Sequence, residues 1–96
     1  MIVEKERIEK WVTPHLEEKG WGKEKIENAI DRLGVMPNNR LFDLYAYHIL
    51  KMSITDIADM RYKSRKTVWC NITSYYGIPA SRWNILTPEE KAKIKL

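Results

Sequence analysis

The chain has 96 residues, 44% of them hydrophobic, which suits one modest core, so residues 1–96 are predicted to form a single domain. No apolar run approaches the ~20 residues that cross a bilayer, and the charged amino terminus is not a signal peptide. We therefore expect a cytoplasmic protein, in the host cell cytoplasm if the chain is viral, without a membrane partner. The lone Cys70 and the separated His15 and His48 are too few for a metal cage, so neither a metal nor a cofactor is expected.

Apolar residues recur at every third or fourth position through most of the chain. Asn-Gly and Asp-Gly turns between alternating segments, which would signal hairpins, do not occur. The pattern therefore predicts an all-α fold.

The amino-terminal segment is predicted to be helical from residue 3 to residue 12. Thr13 followed by Pro14 either kinks this helix or starts a second one, because threonine caps helices and proline suits their first turn. Both possibilities stay open at this point. Gly20 is the expected end of the segment.

A further helix is predicted over residues 23–33, with Gly34 as its carboxy-terminal cap. Residues 1–36 carry seven basic and eight acidic side chains, so their net charge is nearly zero. Their apolar side chains include Ile8, Trp11, Val12, Trp21, Ile26, Ala29, Ile30 and Leu33. This is more apolar surface than a three-helix core needs, so residues 1–36 are predicted to be an extension that assembles a homodimer or larger homo-oligomer.

The next helix is predicted over residues 40–52, after the break at Pro37. Asn38 or Asn39 can cap it, because an asparagine side chain accepts a hydrogen bond from the first helical turn. The stripe expected to face inward consists of Leu41, Leu44, Tyr45, His48, Ile49 and Met52. The histidine on this stripe is interpreted as a core residue rather than as a ligand.

Two short helices joined by a turn are predicted over residues 53–76. Ser53 can cap the first helix, with Asp56 returning the bond as in a capping box, and Ser64 can cap the second. This pattern predicts a helix-turn-helix within a three-helix core at residues 37–80. In such a module the second helix of the pair enters the major groove of DNA.

The unbalanced charge of the chain lies on this predicted helix pair. The formal net charge is +4, and residues 61–86 hold five basic side chains and no acidic one. A phosphate surface favours such a distribution, because each neutralised phosphate releases counterions. A solvated basic turn is the alternative interpretation.

A helical wheel of the second helix separates two faces. The side chains that point inward are Val68, Ile72 and Tyr75. Arginine and lysine at the helix start can reach guanine O6 and N7, and threonine can contact the thymine methyl group. Trp69 either covers a sugar or thymine methyl or packs on Tyr62, and the packing interpretation is favoured. The candidate DNA-binding residues are Arg61, Lys63, Ser64, Arg65, Lys66, Thr67, Trp69, Cys70 and Thr73.

The segment 77–79 is predicted to end the second helix of the pair, and an irregular link follows. Thr87 as a cap, a proline in the first turn and Glu90 as the returning residue of a capping box then start another helix. Residues 81–96 are therefore predicted to be a tail with one short terminal helix.

Several residues in the predicted helix pair follow a known pattern: Ile57-Ala58, Ser64-Arg65, Thr67-Val68, Ile72 and Tyr76-Gly77-Ile78-Pro79. With these, residues 40–80 resemble the homeodomain-like helix-turn-helix domains of resolvases, transposases and related mobile-element or viral proteins. The resemblance implies DNA binding. The chain departs from the family in the turn, where leucine, glycine and valine are usual and Arg61, Tyr62 and Lys63 stand here. We expect Met60, Tyr62 or Trp69 to fill the resulting core space.

The charge pattern and the resemblance favour sequence-specific binding of double-stranded DNA by a small transcriptional regulator of viral or mobile-element type. A dimer is expected because one helix in one groove reads few bases. Two alternatives stay open. One is a DNA-recognition subunit of a packaging or recombination machine, similar to a terminase small subunit, and the other is a helical module that binds protein or RNA. An enzyme is not expected, because neither a glycine-rich phosphate loop nor a nucleophile with a nearby base occurs in the sequence.

Overall fold

The computed structural model describes residues 2–74 and 78–94, and over these ranges it contains helices and no strand, which confirms the all-α class. The α-helices are α1 Lys5–Glu18, α2 Lys23–Gly34, α3 Asn39–Leu44, α4 Ile54–Arg61, α5 Arg65–Thr73, α6 Ala80–Trp83 and α7 Pro88–Lys93. None of the helices in the described ranges is both long enough and apolar enough to span a bilayer.

α1 is one helix with Pro14 inside it, rather than two helices. Its end is set by Gly20, whose φ of 81° lies in the left-handed region. Gly20 N–H donates to the carbonyl of Glu17, and Trp21 N–H donates to the carbonyl of Leu16, each at 3.0 Å. These are the two bonds of a Schellman motif, which satisfies the last carbonyls of a helix. The predicted end at Gly20 is confirmed.

α2 ends one residue later than predicted and without a glycine cap. Gly34 is its last helical residue, and Val35 takes the capping position with a φ of −102°. The last turn closes through bonds from Val35 N–H to the Arg32 carbonyl and from Met36 N–H to the Leu33 carbonyl, each at 3.3 Å. Each of these hydrogen bonds joins residues three positions apart, and together they satisfy the last carbonyls without a left-handed residue. The prediction of Gly34 as the cap is therefore wrong.

The apolar faces of α1 and α2 are buried within the chain. The residues concerned are Ile8, Val12, Leu16, Ile26, Ala29, Ile30 and Leu33, each at most 5% exposed. They belong to the same hydrophobic core as the inner residues of α3, α4 and α5. The premise that residues 1–36 keep this surface for a second copy is therefore wrong, because it is used intramolecularly. Trp11 and Trp21 are half-buried against the same core.

α3 begins at a predicted cap and continues into a π-helical segment. Asn38 Oδ1 accepts from Leu41 N–H at 2.9 Å, so Asn38 rather than Asn39 is the cap. The segment Tyr45–Ile49 is π-helical, and Leu50 N–H donates to the Tyr45 carbonyl at 3.2 Å. A π turn takes in one more residue than an α turn, so it changes the register of the side chains that follow. The helical segment ends at Ile49, before the predicted end at residue 52.

The predicted inward stripe of this helix holds only in part. All six residues from 41 to 46 are buried, because this stretch has neighbours on every side and no solvent face. Beyond the π turn, Leu50 and Met52 are buried, whereas His48 and Ile49 are half-buried. His48 lies edge-on to the ring of Tyr47, with ring centroids 5.1 Å apart.

α4 and α5 form the predicted helix pair. Val68 is fully buried and Ile72 is 4% exposed, as the helical wheel predicted, and Ile57 of α4 is also fully buried. α5 ends earlier than predicted, at Thr73, and Ser74 is extended with φ −120° and ψ 111°. The predicted inward position of Tyr75 and the predicted stop at Gly77 lie outside the described residues.

The carboxy-terminal segment is tied to α2. One turn of helix, α6, stands where an irregular link was predicted. The capping box of α7 is confirmed: Thr87 Oγ1 accepts from Glu90 N–H at 3.2 Å, and Glu90 Oε1 accepts from Thr87 N–H at 2.8 Å. Arg32 of α2 donates to the same Glu90 oxygen and, at 2.9 Å, to the carbonyl of Ile85.

Candidate nucleic-acid interface

α5 begins at a serine cap on the exposed side of the helix pair. Ser64 Oγ accepts from Thr67 N–H at 3.2 Å and lies 2.9 Å from Thr67 Oγ1. Ser53 Oγ caps α4 in the same way, accepting from Asp56 N–H at 3.1 Å. Such caps satisfy N–H groups that a helix start leaves without partners, so both helices begin at fixed points. Both predicted serine caps are confirmed.

The turn between α4 and α5 is a Schellman motif with a tyrosine in the left-handed position. Tyr62 has φ 56° and ψ 41°, and its N–H donates to the Asp59 carbonyl at 3.4 Å. Lys63 N–H donates to the Ala58 carbonyl at 3.0 Å. A side chain at this position costs roughly 1–2 kcal/mol, which is why glycine is usual there. The turn therefore has a backbone geometry that glycine would adopt at lower cost.

Arg7 of α1 holds this turn from outside. Its Nε donates to the Met60 carbonyl at 2.6 Å, and its Nη2 donates to the Asp59 carbonyl at 2.5 Å. Its guanidinium carbon lies 3.5 Å from the centre of the Tyr62 ring, and Nη1 donates to the Tyr62 hydroxyl at 2.5 Å. A cation at the last carbonyls of a helix also complements the helix dipole. Arg7 thus compensates for the strained Tyr62 and fixes the end of α4.

Arg61 does not belong to the exposed basic surface, which corrects its prediction as a DNA-binding residue. It is 6% exposed, and its Nη1 donates to Asp43 Oδ2 at 2.8 Å. Both side chains of this ion pair are almost fully removed from solvent. The charge of Arg61 is therefore neutralised in the core and cannot reach a phosphate.

Asp43 connects three helices through one oxygen. Asp43 Oδ2, on α3, accepts from Arg61 at the end of α4 and, at 2.7 Å, from Asn71 Nδ2 on α5. Burial raises the pKa of the Asp43 carboxyl from 3.8 to about 6, although the Asn71 and Arg61 bonds oppose this. The carboxylate holds α5 in a set orientation against the rest of the fold.

The outer face of α5 is exposed along its whole length. The exposed residues are Lys63 and Ser64 before the helix and Arg65, Lys66, Thr67, Trp69, Cys70 and Thr73 within it. Lys63, Arg65 and Lys66 form no ion pair with a described carboxylate. Eight of the nine predicted residues therefore share one accessible surface, to which we refer as the α5 face.

Trp69 lies on the α5 face and not in the core. It is 51% exposed and borders a shallow depression with Ile54, Thr55, Arg65 and Lys66. The favoured packing of Trp69 on Tyr62 is wrong, because Tyr62 is 77% exposed and stacked under Arg7. Of the three residues proposed to fill the core at the turn, the fully buried one is Met60.

Three residues that matter for this surface were missed from the sequence: Arg7, Asp43 and Asn71. Arg7 had no detectable signal, because it bonds residues more than 50 positions later in the chain. Asp43 had none either, because the burial of residues 41–46, which requires a cation beside this carboxylate, is seen only in the structure. Asn71 lay between the two faces of the helical wheel and was assigned to neither.

Among the described residues, no cluster of three or more His, Cys, Asp or Glu side chains could hold a metal ion. Comparison with known proteins gives no matching family model, no matching curated protein and no matching solved structure.

Proposed function

We propose that this chain binds double-stranded DNA by placing the α5 face in the major groove. The observation that supports this most strongly is the α5 face itself, an exposed helix surface whose cations are not paired with described carboxylates. This face is held in a set position by the serine caps, by Arg7 and by Asp43. Such fixed geometry is what base readout requires, because hydrogen bonds to base edges depend on position.

The dimensions of the helix suit this role. An α-helix is about 10–12 Å across with its side chains, and the major groove is about 12 Å wide. Arg65 and Lys66, in the first turn of α5, can donate to guanine O6 and N7. Lys63 precedes the helix and is suited to a phosphate contact. Trp69 can cover a sugar or a thymine methyl group beside them.

A regulator of transcription, of viral or mobile-element type and acting in the cytoplasm, is the role we propose for this binding. Two copies would serve one site, because one helix reads too few base pairs for useful affinity. Paired half-sites would then lie about 34 Å apart. Since α1 and α2 bury their apolar faces intramolecularly, the copies would meet through another surface or only on DNA. Sedimentation of the chain with and without a duplex distinguishes these two arrangements.

The test is charge reversal on the α5 face. The double variant Arg65→Glu and Lys66→Glu should lose most duplex affinity, measured by fluorescence anisotropy on a labelled duplex at fixed salt. Its circular dichroism should match that of the parent, because both side chains are exposed. The matched control is Lys10→Glu with Lys19→Glu, one exposed lysine of α1 and one directly after it, which changes the net charge equally.

Equal duplex affinity of the α5 variant and the parent would contradict the proposal. Equal loss in both double variants would mean that net charge, rather than the α5 face, is responsible for binding. Retention of single-stranded RNA in preference to the duplex would favour the RNA-binding alternative.

A further inference from the structure

A polar cleft of about 550 Å³ lies beside α5. Its polar lining residues are Asn38, Asn39, Arg40, Thr67, Asn71 and Arg82. Successive side chains on an α-helix are about 100° apart, so Thr67 and Asn71 lie on the flank of α5 opposite Trp69. The opposite wall of the cleft is formed by the start of α3 and by α6.

The chemistry of this cleft suits an anion. Two arginines line it, and no carboxylate is among its described lining residues. Arg82 is exposed and forms no ion pair within the described part of the chain. A guanidinium group can bind a phosphate through two parallel N–H bonds. Asn38 uses its carbonyl oxygen to cap α3, which leaves its amide group as a donor.

The position of the cleft indicates which anion would occupy it. A helix about 10–12 Å across nearly fills a groove about 12 Å wide, so both flanks of α5 would lie close to a phosphate strand. Arg65 and the depression next to Trp69 occupy one flank. The cleft with Arg82 occupies the other.

We propose that this cleft receives a backbone phosphate of the DNA strand that borders α5 on the side of Thr67, with Arg82 as its principal ligand. This inference rests on the proposed binding of duplex DNA. Phosphate contacts position a protein without reading sequence. Arg82 therefore contributes to affinity on every duplex, whereas the α5 face provides sequence preference.

The experiment compares the salt dependence of duplex binding in the parent, Arg82→Ala and Asn39→Asp. Each lost phosphate contact lowers the slope of log K against log salt by about 0.9 in magnitude, and Arg82→Ala should show this change. The affinity of the Arg82→Ala variant for duplex DNA should fall by the same factor on preferred and unrelated sequences. Asn39→Asp, at another exposed lining position, should weaken binding by placing a negative charge in the cleft. Lys19→Ala, at an exposed site directly after α1, is the control and should leave the slope unchanged.

The outcomes separate this inference from the proposed function. If the parent binds duplex DNA and Arg65→Glu with Lys66→Glu abolishes binding, the proposed function stands. The phosphate contact in the cleft alone would then be overturned if Arg82→Ala left the salt slope unchanged and Asn39→Asp left duplex affinity unchanged. If the parent binds no duplex at any salt concentration, both proposals are overturned.

Discussion

Arg61 and Asp43 form an ion pair that is almost fully removed from solvent, between the end of α4 and the middle of α3. Removing one member of such a pair leaves an uncompensated charge in the core, which typically costs about 3–5 kcal/mol. We therefore expect Asp43→Ala, which also removes the oxygen that accepts from Arg61 and Asn71, to lower the free energy of unfolding by about this amount, measured by urea denaturation.

The control is the double variant Asp43→Leu with Arg61→Met, in which both charges are gone. It should be more stable than Asp43→Ala, because apolar replacement of a whole buried pair is often close to neutral. The interpretation of the pair would be wrong if Asp43→Ala unfolded at the same urea concentration as the parent.

The same carboxyl should make stability depend on pH. Burial raises the pKa of Asp43 from 3.8 to about 6, so between these values the folded chain holds a proton that the unfolded chain has released. The contribution of this group to stability is therefore fully present below pH 4 and is lost as pH rises through 6. The free energy of unfolding of the parent, relative to the double variant without Asp43, should fall from pH 4 to pH 6. A difference that rises with pH over this window would contradict the assigned direction.

Tyr62 allows a test of backbone strain at a single residue. Tyr62→Ala keeps a side chain in the left-handed position and loses the stack with Arg7, whereas Tyr62→Gly loses the stack but relieves the strain. We expect the glycine variant to be more stable than the alanine variant by roughly 1–2 kcal/mol, the reverse of their order inside a helix. Thermal unfolding of both variants measures this, and an alanine variant at least as stable as the glycine variant would contradict it.

At the scale of elements, local chemistry was sufficient to predict some features. Serine caps at positions 53 and 64, the capping box at Thr87 and the end of α1 at Gly20 are set by a few neighbouring residues, and all were predicted correctly. The π turn after α3 and the early end of α5 were not predicted. Both depend on how neighbouring helices pack, and the apolar period of an isolated helix does not contain this information.

The sequence predicted those features of the candidate site that depend on residues close together in the chain. Exposed cations and hydroxyls at the start of α5 follow from a cap and a helical wheel. The burial of Arg61 does not, because its partner Asp43 lies 18 residues earlier and is brought near only by the packing of α3 against α5. Four basic residues close together in the sequence therefore contribute three exposed cations.

The N-terminal helices should be required for folding. From the sequence, a chain starting near residue 36 would be expected to stay folded as a monomer. The structure leads to the opposite expectation, because α1 and α2 supply a large part of the core and Arg7 caps α4. Deleting residues 1–36 should abolish the cooperative thermal transition seen by circular dichroism in the intact chain. A truncated chain that unfolds cooperatively near the parent's midpoint would show that residues 37–96 form a core of their own.

At the scale of the whole molecule, the excess positive charge lies in residues 61–86, whereas α1 and α2 carry charges of both signs. The chain carries 17 basic and 13 acidic side chains, and residues 61–86 contain no acidic one. The mixed charges of α1 and α2 suit a solvated surface, whereas the α5 face and the cleft with Arg82 suit phosphates on both sides of a groove. In this arrangement α1 supports the turn before α5, because it packs against α4 and its Arg7 bonds the last carbonyls of α4.

The central claim is that the α5 face reads duplex DNA, and selection of bound sequences from random duplexes tests it most directly. The parent chain should enrich a short motif, and Lys66→Ala should enrich the same motif with the preference at one base pair relaxed. A second copy of the motif at the expected spacing would support two copies per site. The claim would be contradicted if the parent retained no duplex, or if it bound duplexes and the recovered sequences were as random as the starting pool.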